Sequence, residues 1–530
     1  MRQAFGRFAA GRIAAVMAGG LVLWAIWRLF AGLSVSSFWQ DEIFSMRLAE
    51  QPTFTAMLAR AVQDTHPPTF YSLLWGWVRM AGFDEPSARL LSVAFSLGLI
   101  AAVLVLPRPG TRLRPRLLVA ALVASSPFWG EHAAEIRSYA MVSFVLAVAA
   151  LASSRVAAAT SAAGPASVWG GMFVAAATLA SATHLFALYA SCWMCVALVL
   201  ARPEAWRLAL AGLAGTALAG MAYAAQILLF HDFGVSAKIF APSVRFLAAS
   251  VQNGLRTGGT PAMLALAATC LLGGAIVLIG KRKTPRQEKA PLLHDLALLC
   301  GPVIVTLAGL IVTLVVPSMN YRGPQVGLVL GWCGLIGLLD SLSRRWPTLT
   351  TIAGLAALLV TALELATWQR PTPLPSKQDF RSLARHLASF SACRNTVVPV
   401  LRNVEEVPDF SPAKEIGLRQ HMQDRFGYYE RATWHDYRPF VIMHGAYVHA
   451  WAPRDLLAAR IAGTDPCPVL AVVADIRSYR PEAIEKTMRV AISANGGDPS
   501  RLTVRWFPHH GGGRPGRIVR QLAVFSLSSP

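Results

Sequence analysis

The chain has 530 residues, 54% of them apolar and only 15% charged, with a formal net charge of +21 at pH 7. A soluble domain carries roughly a quarter charged residues, so a string of soluble domains is excluded in favour of a membrane protein. Nucleic acid is excluded as the reason for the positive charge: a binder gathers Lys and Arg on one face or in one block, whereas here they fall mostly in short clusters between apolar runs.

Crossing about 30 Å of hydrocarbon takes about 20 helical residues. Apolar stretches of that order occur at 14–34, 88–106, 116–130, 138–154, 167–184, 186–201, 208–230, 261–280, 295–316, 324–340 and 348–368. These make eleven spans if 167–201 is a tight hairpin around His184, and the basic residues on its two flanks, Arg155 before and Arg202 and Arg207 after, support that hairpin. Arg2, Arg7 and Arg12, "PRPGTRLRPR" (107–116), "KRKTPRQEK" (281–289) and "SRRWP" (343–347) then all fall on one side. Cytoplasmic loops are the ones enriched in Lys and Arg, so the amino terminus is expected in the cytoplasm and everything after about residue 370 outside it. The first apolar segment is longer than the apolar core of a signal peptide and reads as a retained anchor.

The outer loop at 35–87 carries Asp41, Glu42, Glu50, Asp64, His66, Asp84 and Glu85, with "DTHPPTFYSLLWGW" (64–77) at its centre. Polar side chains facing lipid are costly, so such a loop lies at the surface or lines a cavity. The Pro67-Pro68 pair restricts the backbone and fixes how His66 is presented, and "TFYSLLWGW" suits a helix on the membrane surface. The plainer reading is that these acids cap short helices, whose amino-terminal turns favour Asp and Glu. Further outer-side residues are Glu131, Glu135, Arg137 and Tyr139 in "EHAAEIRSYA" (131–140), with Glu135 and Tyr139 expected on one helical face, His184 at the hairpin turn, and Tyr321 and Arg322 in "PSMNYRGP" (317–324). Arginines near span ends commonly snorkel to the headgroups. Yet carboxylates, histidines and two arginines converge on the side where few arginines are expected, a set suited to a substrate that carries hydroxyls and phosphate.

Residues 1–368 form the transmembrane part, proline-rich 369–378 reads as a linker, and 379–530 alternates strands and helices. The segments 396–401, 440–445, 468–475, 502–507 and 518–527 read as strands and 379–390, 454–463 and 481–492 as helices, giving a small extracytoplasmic α/β domain. Its two cysteines, Cys393 and Cys467, can pair in an oxidising compartment; the other five lie in spans, where Cys192-x-x-Cys195 reads as packing rather than redox chemistry. "HHGGGRPGR" (509–517) lacks the Gly-Lys-Ser/Thr ending of a phosphate loop. His444 and His449 have no ligand partners at metal-site spacing. No residue spacing demands a metal, although an acid-rich loop could bind a divalent ion.

Asp41-Glu42 after the first span, "DTHPPTFYSLLWGW", "ARLLSVAFSLGLIAAVLVL" (88–106) with Arg89 and Ser92, "EIRSY" (135–139) and "THLFAL" (183–188) occur in one order. Over roughly 12–368 that order resembles the dolichyl-phosphate-mannose–protein mannosyltransferase-like family of the GT-C glycosyltransferases. The family has Arg-Tyr near the start of a late span, where this chain has Tyr321-Arg322. The resemblance implies a multi-pass enzyme of the cell envelope, in a bacterial inner membrane. It would move a hexosyl or pentosyl unit, with inversion, from a polyprenyl-phosphate donor to a glycan, lipid or protein hydroxyl. It makes Asp41 the candidate base, with Glu42 orienting the acceptor. Arg137, His66, His184, Arg322 and Tyr139 become candidates for the donor phosphate and lipid, supported by Asp64 and Glu135. Independently, an inverting transfer needs a carboxylate to take the acceptor proton and donors for the departing phosphate. The rival readings are a transporter or flippase for a glycolipid-type substrate, which would put ionisable residues and broken helices near the bilayer midplane, and an inactive scaffold that binds partners through the outer domain.

Overall fold

The computed structural model describes residues 2–34, 38–159, 165–230, 248, 261–281, 284–314, 322–367, 382, 386, 389–393, 400–401, 458–474, 481–510 and 518–528. Contacts divide the chain into two units, Met1–Leu33 with Leu48–Leu374, and Ser34–Arg47 with Pro375–Pro530. The short segment carrying Asp41 and Glu42 thus groups with the carboxy-terminal residues and not with the rest of the 35–87 loop. The 369–378 linker, Tyr321, His444, His449, the 440–445 strand and most of the 379–390 helix lie outside the described residues.

The helices in chain order are α1 (Arg2–Ala31), α2 (Gln40–Ala49), α3 (Phe54–Ala61), α4 (Thr69–Ala81), α5 (Glu85–Val105), α6 (Leu113–Ala124), α7 (Pro127–His132), α8 (Tyr139–Ala158), α9 (Pro165–Ser181), α10 (Leu185–Ala201), α11 (Trp206–Phe230), α12 (Pro261–Gly280), α13 (Arg286–Leu299), α14 (Gly301–Thr313), α15 (Leu328–Arg345) and α16 (Pro347–Thr367). Among the described residues, five helices are long and apolar enough to cross a membrane, or six if the bent pair α13–α14 is one span. The chain is an integral membrane protein. Every predicted apolar stretch is largely helical, but lengths differ from expectation in two places. The stretch 116–130 is broken: α6 stops at Ala124, and Ser126, held extended before Pro127, caps α7 by accepting from the Trp129 amide at 3.1 Å. Proline has no N–H to give and disfavours a helical residue before it, which leaves α6 about 18 Å long. The stretch 295–316 is bent by 48°, with Pro302 in the first turn of α14.

Helix α8 is the axis of the helical unit. It is apolar and buried on nearly every side, as a helix with no polar face must be, and packs against α5, α9, α10, α13 and α15. Its Ala and Ser residues allow that close approach. By contrast α1, α11 and α16 expose Trp27, Leu228 and Ile352, the outward apolar surface of helices that face lipid. Helices α9 and α10 form the expected hairpin: Ser191 donates to the Ala177 carbonyl at 3.1 Å, seven residues either side of His184.

Polar contacts mark the two ends of α8. At its carboxy-terminal end Arg155 donates to the Leu106 carbonyl at 2.7 Å, Arg202 to the Val156 carbonyl at 2.9 Å, Arg108 pairs with Asp295 at 2.5 Å, and Arg112 and Arg344 share Asp340 at 3.1 and 2.9 Å. The arginines at or just past the carboxy-terminal ends of α5, α8, α10 and α15 therefore lie together. At the other end, about 30 Å away along twenty helical residues, Ser92 and Ser96 of α5 donate to the carbonyls of Glu135 and Ala133 at 2.7 and 2.9 Å.

The second unit holds a four-stranded sheet in the order β1 (Val400–Leu401), β2 (Val469–Ala474), β4 (Ile518–Leu527), β3 (Leu502–His510). The β1–β2 pair is parallel and the other two pairs are antiparallel. Helix α17 (Pro481–Ala494) covers it, placing Met488 and Ile492 against Leu470, Leu502, Ala523 and Phe525. Residues 458–461 are helical, within the predicted 454–463 helix. Cys393 and Cys467 form a disulfide across 74 residues of sequence, and the five cysteines of the helical unit are free.

Candidate active site

The loop between α3 and α4 and the start of α4 are pinned from two directions. Thr69 donates to the Ala182 carbonyl in the α9–α10 turn at 2.5 Å. From α11, Tyr223 donates to the Thr65 carbonyl at 2.7 Å, and Gln226 to the carbonyls of Asp64 and His66 at 2.9 and 3.0 Å. Pro68 stands at the helix start, so α4 begins at Thr69 and turns Tyr71 inward, where it is 2% exposed.

Tyr71 is the hinge of the local network. Its hydroxyl donates to Asp64 Oδ2 at 2.6 Å and accepts from Arg137 Nη1 at 2.9 Å. Arg137 Nη2 lies 3.2 and 3.4 Å from the two ring nitrogens of His66, and His66 Nδ1 is 3.4 Å from Asp64 Oδ2. Arginine can only donate, so the His66 ring stands between a donor, Arg137, and an acceptor, Asp64, with the Thr65 hydroxyl 3.2 Å from its Nδ1. Burial alone would raise the Asp64 carboxyl, but the hydrogen bond and charge of His66, the charge of Arg137 and the Tyr71 hydroxyl outweigh it and hold Asp64 below the usual carboxylate range. Asp64 is an anion across the physiological range and fixes His66 and Tyr71.

His184 sits at the turn as the amino-terminal cap of α10, its Nδ1 accepting from the Phe186 amide at 3.2 Å. That bond requires an unprotonated Nδ1 and puts the neutral ring's proton on Nε2. Burial, then the charges of His66, Arg137 and His132, push its pKa well below the ordinary histidine value. It is a neutral donor. His66 lies edge-on to it, with ring centroids 5.7 Å apart, and Tyr139 lies 5.4 Å away on another side.

Tyr139 also stacks on His132 with centroids 4.3 Å apart, which extends the cluster. His132 Nδ1 meets Glu135 Oε2, His132 Nε2 lies 3.3 Å from Gln325 Oε1, and Arg322 is 3.7 Å from Glu135 Oε1. The expected single helical face through Glu135 and Tyr139 is not formed. Helix α8 starts at Tyr139, and before it the backbone turns tightly, the Glu135 carbonyl accepting from both the Arg137 amide and the Ser92 hydroxyl at 2.7 Å and the Ala133 carbonyl from Ser96 at 2.9 Å. This bend is what turns Arg137 toward Tyr71.

The helical unit thus gathers Asp64, His66, Glu135, Arg137, Tyr139, His184 and Arg322 into one connected cluster. Asp41 and Glu42 fall in the other unit, in the first turn of α2. There Glu42 turns back to accept from the Trp39 amide at 3.4 Å, the reach of the third helical residue in a capping box. Asp41 is half-buried, and its carbonyl accepts from Ser45 at 3.1 Å. Among the described residues no group of three or more His, Cys, Asp or Glu is disposed to hold a metal ion.

Five members of the network are absent from the sequence reading: Tyr71, His132, Tyr223, Gln226 and Gln325. Tyr71 lay within the quoted motif, hidden in an apolar helix face, and His132 stands three residues before Glu135. Tyr223, Gln226 and Gln325 are distant in sequence and carry no local signal.

No family model and no curated protein sequence matches the chain. Its course is similar to several solved structures. The Archaeoglobus fulgidus oligosaccharyltransferase in complex with Zn and sulfate is 11% identical, over 97% of this chain and 73% of that one, with a TM-score of 0.47. ArnT from Cupriavidus metallidurans bound to undecaprenyl phosphate is 14% identical, over 96% and 98%, with a TM-score of 0.43. The arabinofuranosyltransferase AftD from Mycobacteria is 16% identical, over 98% and 40%, with a TM-score of 0.41.

Proposed function

We propose that the protein is a GT-C-like membrane glycosyltransferase that moves a sugar from a polyprenyl-phosphate donor to an acceptor hydroxyl on the extracytoplasmic side, with inversion. The observation that carries this reading is the Asp64–Tyr71–Arg137–His66–His184 constellation at one end of α8, opposite the arginine-rich end. By the charge bias of cytoplasmic loops, the arginine-rich end is cytoplasmic and the constellation faces out. The Cys393–Cys467 disulfide supports an outer location for the second unit, because such bonds persist in oxidising compartments.

In this mechanism Asp41 takes the acceptor proton as the oxygen attacks the anomeric carbon, and the bond to the lipid phosphate breaks on the far side. Glu42, engaged at the start of α2, orients that turn and the acceptor. Arg137, with the Nε2–H of His184 and the imidazole of His66, stabilises the departing phosphate. Arg322 adds positive charge beside Glu135, and Tyr139 holds the two histidines at their stacking distance. These groups are held before substrate arrives, which is what makes such donors effective in a water-poor site.

The transporter reading shares one feature with the structure, the bent α13–α14 pair. Its buried ion pair, Arg108–Asp295, reaches the loop after α5 at the arginine-rich end, whereas transport sites sit at the midplane. The test is to compare the glycolipids and glycoproteins of cells with and without the gene. The enzyme reading expects one glycosylated species to disappear and to return with the wild type but not with Asp41→Asn. Unchanged glycans would refute it.

A further inference from the structure

The arginine-rich end of the helical unit contains a cavity of about 680 Å³ lined by Arg108, Arg155, Trp169, Asp340 and Arg344, with Gly110 and Ala158 at its wall. It lies at the end of α8 away from the cluster described above, and nothing in the proposed reaction uses it. Its charges do not balance. Around it Arg108, Arg112, Arg155 and Arg344 meet two carboxylates, Asp295 and Asp340. Arg155 stacks on the Trp169 ring at 4.0 Å while its donors reach the Leu106 and Pro107 carbonyls at 2.7 and 2.9 Å, so it adds charge without a carboxylate partner among the described residues. Arg108 gives Nη2 to Asp295, and its Nη1 is buried with no hydrogen-bond partner among the described residues. A buried, unsatisfied guanidinium nitrogen is costly, and an acceptor entering the cavity relieves it.

We infer that this cavity binds a phosphate group, presented by an anionic lipid headgroup or by a soluble phosphate. Planar guanidiniums suit phosphate oxygens, and an interhelical basic pocket beside an aromatic residue at a span end suits a headgroup. Gly337 keeps the pocket's base open, because a Cβ there would collide with both Asp295 and Arg108.

The test uses the full chain, purified in detergent and stripped of lipid, with native mass spectrometry against phosphatidylglycerol and phosphatidylcholine and, separately, a titration with inorganic phosphate. Two variants accompany it: Ala158→Trp, which fills the cavity without changing charge, and Arg344→Gln. Phosphatidylglycerol retained about tenfold over phosphatidylcholine, reduced about fivefold by Arg344→Gln and abolished by Ala158→Trp, supports a lipid headgroup. Binding of inorganic phosphate with no preference between the lipids, blocked by Ala158→Trp, supports a soluble phosphate. Retention of neither, or equal binding by the wild type and Ala158→Trp, overturns the inference.

Discussion

Replacing Tyr71 by Phe removes one oxygen and leaves the ring in place. That oxygen joins Asp64 at 2.6 Å to Arg137 at 2.9 Å, and the side chain is 2% exposed, so water cannot substitute for it. Each hydrogen bond to an ionised group is worth about 1.5–3 kcal/mol. Asp64 and Arg137 both keep contacts to His66, so a net loss of about 2–4 kcal/mol is expected rather than the sum of two bonds. If Arg137 stabilises the leaving phosphate, loosening it costs about 10- to 100-fold in kcat. The KM for the lipid-linked donor should rise by much less, because the arginine's charge remains in the site. The assay is steady-state transfer from a polyprenyl-phosphate sugar by folded, reconstituted Tyr71→Phe protein. A kcat within threefold of the wild type, with the same donor KM, would refute the positioning role and with it the assignment of Arg137 to the phosphate.

Three further outcomes are expected. The folded-state pKa of His184 is depressed below the unfolded value of about 6.5, so the unfolded chain binds the extra proton first and stability falls as pH drops below that value. Asp64, whose pKa is also depressed, contributes fully above the unfolded carboxylate value of about 3.9 and is lost only below it. Between those limits the thermal half-life in detergent should shorten with acid in the wild type and less so in His184→Asn, which keeps a capping acceptor; identical slopes would contradict the neutral-histidine assignment. Gly337→Ala should cost about 3–5 kcal/mol by separating the buried Arg108–Asp295 pair, read as a fall in melting temperature, and an unshifted midpoint would mean that the pair moves aside freely. A reporter fused after Pro530 should score as extracytoplasmic; a cytoplasmic score would overturn the orientation.

The helices and most of their order were legible because apolar length and loop charge act locally. The hairpin at His184 followed from Arg155 and Arg202, and the bond from Arg202 to the Val156 carbonyl at 2.9 Å joins the two flanks. Seven of the nine candidate site residues meet in one cluster for a similar reason: each lay in a loop on the same predicted side. What sequence could not supply is the long-range hydrogen bonding that shapes those loops. The Ser92 and Ser96 bonds tie the irregular stretch before α8 to α5, and Gln226 reaches across 160 residues to His66. The span at 116–130 was misjudged because apolar composition outweighed Ser126-Pro127. The plain reading of Asp41-Glu42 as helix caps proved partly right, since Glu42 does cap α2.

The most direct measurement of the central claim is transfer from a synthetic polyprenyl-phosphate sugar to acceptor by purified protein in lipid vesicles, wild type against Asp41→Asn. The account expects wild-type turnover with inverted product, and at least a hundredfold loss in a variant that inserts and melts like the wild type. Turnover by Asp41→Asn near the wild-type rate would contradict it.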